Sequence, residues 1–236
     1  MVVTVRGLAR AADARERMDE TLAPADLEAT VDDLDRLNAW FGGYALTLRR
    51  IRRVAGTLSR GRRLVVVDVG GGRGDLAVNI VRLARRAGRP VRVIVVDSDA
   101  ATLALARRRT AAYPEIALVQ ADAAALPLAA RVADVGVLAL TLHHLDGATA
   151  VASLAQLTSV ARTGIVNDLL RTPLTLVLVW LATRVLRLHP VSRHDGPVSV
   201  RRAWSADELT ALAATAGRRA RIVRYPWLGR LVAEIR

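Results

Sequence analysis

Two parts of the chain hold residues with the makings of chemistry. One is the octapeptide Asp68-Val-Gly-Gly-Gly-Arg-Gly-Asp75, directly behind the apolar run Leu64–Val67; the other is the set of four histidines, His143, His144, His189 and His194. Glycines at 70, 72 and 74 would let a ligand lie against the backbone. Asp68, just ahead of them, suits a ligand that carries an ammonium or sulfonium. The dinucleotide fingerprint G-x-G-x-x-G would need a glycine where this chain has Asp75. A pyrophosphate binds backbone N–H groups at a helix N-terminus free of negative charge, so Asp75 argues against a nicotinamide dinucleotide.

Composition removes other chemistries. All 35 basic residues are arginine, and without lysine there is no Schiff base, no P-loop lysine and no tyrosine-lysine dehydrogenase pair. Without cysteine there is no disulfide, thiolate zinc site or sulfur nucleophile, which fits a reducing compartment and a cytoplasmic location. No His/Asp cluster has ligand spacing, so no metal site is expected. The net charge of +13 is spread over arginine pairs and triplets in a chain with only 3% aromatics, the pattern of solvated helix faces rather than of a nucleic-acid track. The first twenty residues lack the apolar core of a secretion signal. Leu174–Thr183, interrupted by Arg184 and Arg187, falls short of the roughly 20 apolar residues that span a bilayer, so no transmembrane segment is expected.

The elements that must position these residues can be read from periodicity. Leu27, Val31, Leu34 and Leu37 predict an amphipathic helix over 24–41, and Leu48, Ile51, Val54, Ala55 and Leu58 predict a second over 45–58. From residue 63 onward, short apolar runs alternate with helical stretches, the signature of a parallel sheet covered on both faces. The expected strands are 64–69, 92–97, 116–122, 133–140 and 163–168, with helices near 75–87, 99–112 and 147–158 and a helical insert at 173–188. Ser205 to Glu208 reads as a capping box, and 220–225 and 230–235, joined by four residues, as an antiparallel hairpin. The expectation is an α/β, doubly wound, seven-stranded Rossmann-like sheet with an antiparallel C-terminal hairpin and an N-terminal helical cap. Residues 1–60 would form that cap or lid, and residues 61–236 the core, with the insert at about 171–203.

With these elements in place, Asp68-Val-Gly-Gly-Gly-Arg-Gly74 resembles the first motif of the class I S-adenosylmethionine-dependent methyltransferases, and the later motifs follow in order over residues 35–236. The resemblance implies S-adenosylmethionine as cofactor, held by Asp68, Gly70, Gly72 and Gly74. It places Asp97, with Ser98 beside it, at the acidic position that takes both ribose hydroxyls, and Asp122 with Ala123 at the position that receives the adenine amino group. Leu140–Leu145, LTLHHL, matches the strand end that borders the transferred methyl and the substrate. Together with Asn167-Asp168 it looks most like the small-molecule methyltransferases of quinone and natural-product biosynthesis.

Methyl transfer from a sulfonium is an in-line displacement in a water-poor pocket, and a phenolic or enolic acceptor is helped by a base. His144 or His194 is expected in that role, with Asp195 or Asp168 orienting it. His143 is a further candidate that competes with a packing role beneath the sheet. The expected partner is a small-molecule acceptor, phenolic, quinol or polyketide-like, methylated on oxygen; nucleic acid is not expected, and a homodimer stays open. The alternatives are an RNA methyltransferase, which should show an N-P-P-Y-type fourth motif where this chain has LTLHHL, and a non-catalytic binding subunit.

Overall fold

The computed structural model describes residues 8–236, so the first seven residues, part of the expected cap and of the stretch read for a secretion signal, lie outside the described residues. The apolar runs form β1 (Leu64–Val69), β2 (Val91–Asp97), β3 (Ile116–Gln120), β4 (Ala133–Ala139), β5 (Ala161–Leu169), β6 (Ala220–Tyr225) and β7 (Arg230–Ile235). They make one seven-stranded sheet in the order β3-β2-β1-β4-β5-β7-β6. The first five strands are parallel, and β7 lies antiparallel between β5 and β6, so the expected hairpin is present. Valines dominate the central strands because both faces are covered, and Val66, Val67, Val93, Val95, Val135 and Val137 are all fully buried.

Among the described residues, eight α-helices accompany the sheet: α1 (Pro24–Trp40), α2 (Gly43–Gly56), α3 (Asp75–Arg86), α4 (Ala100–Thr110), α5 (Gly147–Val160), α6 (Pro173–Val185), α7 (Pro190–Arg202) and α8 (Ala206–Thr215). The capping box that opens α8 forms between Ser205 and Glu208. On one face, Leu46 and Ile51 of α2 and Leu76 and Ile80 of α3 pack on Val66, Val93, Val95 and Ile165. On the other, Leu154 and Leu157 of α5 and Leu209 of α8 pack on Val67, Val69, Leu138 and Val166. The second N-terminal helix, grouped by sequence with the cap, is therefore a layer of the core. α1 and the segment before it line the cavity at the loop face, with Gly43, Tyr44 and Thr47 from the start of α2.

The insert also differs from its reading. The first stretch read as helical, 173–188, is followed by a second helix, and His194-Asp195-Gly196-Pro197 lies inside it, in α7. Pro190 sits in the first turn of α7, where its missing N–H costs nothing. Val191, Asp195, Ser199 and Val200 are buried, so packing overrides the local signal of Gly196-Pro197. Gly196 has a spatial reason: a Cβ there would stand 2.9 Å from Val179 of α6, so its absence allows the two helices to approach.

One core contact can be tested directly. Leu157 of α5 seats on Gly136 and Gly164, which are cross-strand partners, and a Cβ at these positions would lie 2.7 and 3.0 Å from its δ-carbons. Leu157→Ala should leave a cavity and cost about 3 kcal/mol. The check is a thermal midpoint several degrees lower, with an unchanged circular dichroism spectrum.

Candidate functional site

The sheet order reverses between β1 and β4, and this opens a crevice at the C-terminal ends of the strands. The glycine loop fills its near wall. The N–H groups of Gly70 and Gly71 both donate to the Val96 carbonyl, at 2.7 and 3.1 Å, which ties the loop to β2. Gly70 has φ +65°, and a Cβ on it would come within 2.5 Å of Thr141, so the turn admits only glycine. Gly72, at φ +56°, has no atom nearer than 4.0 Å to where its Cβ would be, so its backbone faces open space. Gly74 then leads into α3.

The charge of Asp75 in the first turn of α3 is matched from two sides. Its carboxylate accepts from Arg73 Nε at 2.9 Å and from Arg109 Nε at 2.6 Å. Arg73 also pairs with Asp32 of α1, so the loop and the helix above it are linked by charge.

The three strand-end carboxylates occupy different environments. Asp68 is 1% exposed and its Oδ2 has no hydrogen-bond partner. Burial, with the charge of Asp97 nearby, pushes its carboxyl up to about 7. Asp97 accepts from the N–H of Gly72 at 2.8 Å and of Asp99 at 3.0 Å, and burial raises its carboxyl despite these bonds. Asp122 is exposed and accepts from the Ala124 N–H at 2.7 Å, a turn-forming bond that leaves its other oxygen free. Asp68, Gly70, Gly72, Asp97, Ser98, Asp122, Ala123 and Leu140 all line one cavity of about 610 Å³; Gly74 does not and serves as the N-cap of α3. Leu140 itself holds φ +55°, a strained conformation for leucine, with its N–H bonded to the Asn167 carbonyl at 2.9 Å.

A second, largely apolar cavity of about 120 Å³ adjoins the first, walled by Leu37, Phe41, Leu178, Val179 and Ala182, and Met18, Leu34, Leu140, His144 and Arg230 line both cavities. The histidines divide around it. His143 is buried, and its Nδ1 lies 2.6 Å from Asp168 Oδ1. Burial opposes ionisation of Asp168, but His143 more than offsets it and holds the carboxyl below its ordinary range. His144 pairs through Nδ1 with Asp19 at 2.8 Å. Burial again opposes, yet hydrogen bonds from His144 and Arg202 hold Asp19 well below the usual carboxylate range.

Of the expected pairings, His194 with Asp195 is present and the other changes partner. Asp168 orients His143 rather than His144. His194 lies on the exposed side of α7 and lines neither cavity. Asp195, though it lies 2.7 Å from His194, spends both oxygens on the backbone N–H groups of Arg17 and Met18, at 2.9 and 3.0 Å, and so fixes the N-terminal segment. His189 accepts at the start of α7 and faces Asp26.

Glu16 and Asp19 were not among the residues expected here. Nothing local marks them, because the His144 partner of Asp19 is 125 positions away. Glu16 is 3% exposed; burial raises its carboxyl against the pull of His144, Ser199 and Arg202. Glu16, His143 and His144 bring three ligand-type atoms within 4.8 Å, a grouping that chain order hid. Arg202, 3.5 Å from Glu16 Oε1 and paired with Asp19, matches that negative charge with a fixed guanidinium.

The isolated Asp68 charge should be visible in stability. The folded carboxyl keeps its proton up to about pH 7, the unfolded one only to about 3.8, so its contribution is lost as pH rises between these values. Asp68→Asn removes the buried charge. It should raise the thermal midpoint of the ligand-free protein at pH 8, a gain of up to about 4 kcal/mol that shrinks as pH falls toward 4.

Residues 66–164 match a family model described as "Methyltransferase domain". Over 63 residues the chain is 46% identical to the 2-phytyl-1,4-naphtoquinone methyltransferase of Thermosynechococcus vestitus, a match that covers 27% of this chain and 27% of that protein. A SAM dependent methyltransferase from Aquifex aeolicus superposes with a TM-score of 0.61 over 91% of this chain and 98% of its own, at 16% identity. An O-methyltransferase from neocarzinostatin biosynthesis, solved with S-adenosyl-L-homocysteine and 1,4-dihydroxy-2-naphthoic acid, matches with a TM-score of 0.51 at 23% identity over 72% of this chain and 48% of its own. Residues 66–164 are thus similar to a methyltransferase domain, and they fold with their flanks in a seven-stranded arrangement shared with solved methyltransferases.

Proposed function

We propose that the chain is an S-adenosylmethionine-dependent methyltransferase that methylates a hydroxyl of a small phenolic, quinol or polyketide-like acceptor. The observation that carries the reading is the unpartnered, buried oxygen of Asp68 beside a glycine whose backbone faces an open cavity. A buried carboxylate oxygen without a partner, beside open space that a side chain at Gly72 would occupy, fits a donor with a cationic amino acid end. Asp68 would face that ammonium, Asp97 and Ser98 the ribose, and Asp122 with Ala123 the adenine. Asp97 has lone pairs to spare beyond its two backbone bonds. S-adenosylmethionine held there would supply an electrophilic methyl carbon and a neutral thioether leaving group for in-line transfer to the acceptor oxygen.

The acceptor fits the smaller apolar cavity, and the names of the Thermosynechococcus and neocarzinostatin relatives support an aromatic, naphthoquinone-like ring there. His144 lines both cavities, and Asp19 on Nδ1 leaves its Nε2 to receive the acceptor's proton. His143, held by Asp168, and Asp195, which anchors Arg17 and Met18, are positioning residues in this reading. The segment 16–22, α1, α6 and α7 form the lid that keeps water out. The cysteine-free composition supports a cytoplasmic enzyme.

The test begins with titration of S-adenosylmethionine and of NADH into the protein by calorimetry. Micromolar binding of the sulfonium alone, weakened at least tenfold by Asp97→Ala, is expected; binding of NADH instead would overturn the proposal. In an acceptor screen with phenols and quinols, His144→Gln should lower kcat about a hundredfold with donor affinity retained, whereas His194→Ala should leave kcat within twofold. Equal loss in both variants would remove His144 as the base.

A further inference from the structure

Among the described residues, seven of the eight exposed large hydrophobic side chains belong to one region: Leu174, Val177, Trp180, Leu181 and Val185 of α6, Trp40 at the end of α1, and Trp227 in the turn Pro226–Leu228. Trp227 is 81% exposed, Val185 67% and Trp40 65%. α6 packs against that turn, and a Cβ at Gly229 would stand 2.7 Å from Thr175. Phe41, next to Trp40, shares the wall of the smaller cavity with Leu178 and Leu228. The end of α1, α6 and the turn therefore stand together.

α6 is apolar around most of its circumference. Thr175, Leu178, Val179 and Ala182 line the smaller cavity, while Leu174, Val177, Leu181 and Val185 face outward. A helix of this kind is ordinarily buried on all sides or in contact with lipid. Here one side is bare. Arg184 lies over the Trp180 ring at 4.2 Å, and Arg187 and Arg193 are exposed beyond it. From Leu169 to His194 the chain contains four arginines and no carboxylate. The acidic residues of neighbouring α1 are turned to other partners: Asp32 to Arg73, Glu28 to Arg108, Asp33 to Arg36, Asp35 to Tyr44 and Arg73, and Asp26 to His189. The charge beside the bare face is thus positive, in a chain of net charge +13.

We infer that α6, with Trp40 and Trp227, is a docking surface for an anionic lipid bilayer. Tryptophans beside aliphatic residues, flanked by arginine, match the make-up of an interfacial helix whose apolar side enters the headgroup boundary while guanidinium groups meet lipid phosphates. No helix among the described residues is long and apolar enough to cross a membrane, so the association is peripheral. The cavity lies directly behind the docked helix, so an apolar acceptor dissolved in the bilayer has a short path inward. That last step rests on the methyltransferase reading. The docking itself needs no methyl donor, so the two fail separately.

The test is flotation of the full chain with vesicles of phosphatidylcholine alone and of phosphatidylcholine with one quarter phosphatidylglycerol. Trp180→Ser combined with Val185→Ser changes no charge and replaces only exposed side chains, and its thermal midpoint reports that the fold is intact. The wild-type chain should float with the anionic vesicles, at least tenfold less with the neutral ones, and the double variant at least tenfold less with the anionic ones. Failure of the wild-type chain to float would overturn the proposal, as would flotation unchanged in the double variant, which would leave charge alone as its cause. A dimer by light scattering that the double variant abolishes, with no flotation, would assign the face to a second copy of the chain.

Discussion

A carboxylate buried without a partner governs the site. Asp68 closes β1 where the sheet order reverses, and the residues around it explain why its oxygen stays unmatched. Gly70 and Gly71 turn their N–H groups to the Val96 carbonyl, away from Asp68, and the next acid along the wall is Asp97. Two acids whose ionisation burial opposes, the charge of Asp97 adding to the cost at Asp68, with glycine backbone between them, are a poor arrangement for stability and a good one for a cation. The valine sheet below supplies the rigidity that keeps such an arrangement in place.

The acceptor side depends on a different constraint, long-range pairing. Glu16 and Asp19 come from a short segment with no sheet or long helix of its own, and they are held by His144, Ser199 and Arg202. Asp195 adds two bonds to the backbone of the same segment. A histidine that reaches both cavities is thereby kept in one orientation by residues from opposite ends of the chain. Such contacts are few and mostly polar, so this region is expected to open more readily than the sheet.

The core was legible because its signals are local. Valine runs, Gly70 to Gly74 and the Ser205 capping box each act within a few residues, and the strands they imply are present in the structure to within two or three positions at each end. The insert was legible as helical, but its division into α6 and α7 was not, because Gly196-Pro197 lies inside α7, where the side buried against α6 outweighs the local signal. The amphipathic pattern of α2 shows that it is buried but not against which surface, and in the structure its Leu46 and Ile51 pack on the sheet. Of the histidine pairings, only that of the sequence neighbours His194 and Asp195 could be read. Asp168 was seen as an acid within reach, yet which imidazole it meets depends on how the turn Leu142–His144 sits against β5, and no spacing in the chain encodes that.

The central claim, that Asp68 is kept free for a cationic donor, is tested most directly by calorimetric titration of S-adenosylmethionine at pH 6 in two buffers of different ionisation enthalpy. The Asp68 carboxyl, near 7 in the free protein, is largely protonated there and must ionise to meet the ammonium. Binding should release close to one proton, and Asp68→Asn should abolish that release and weaken the affinity at least tenfold. Binding without proton release, or with unchanged affinity in the variant, would contradict the account.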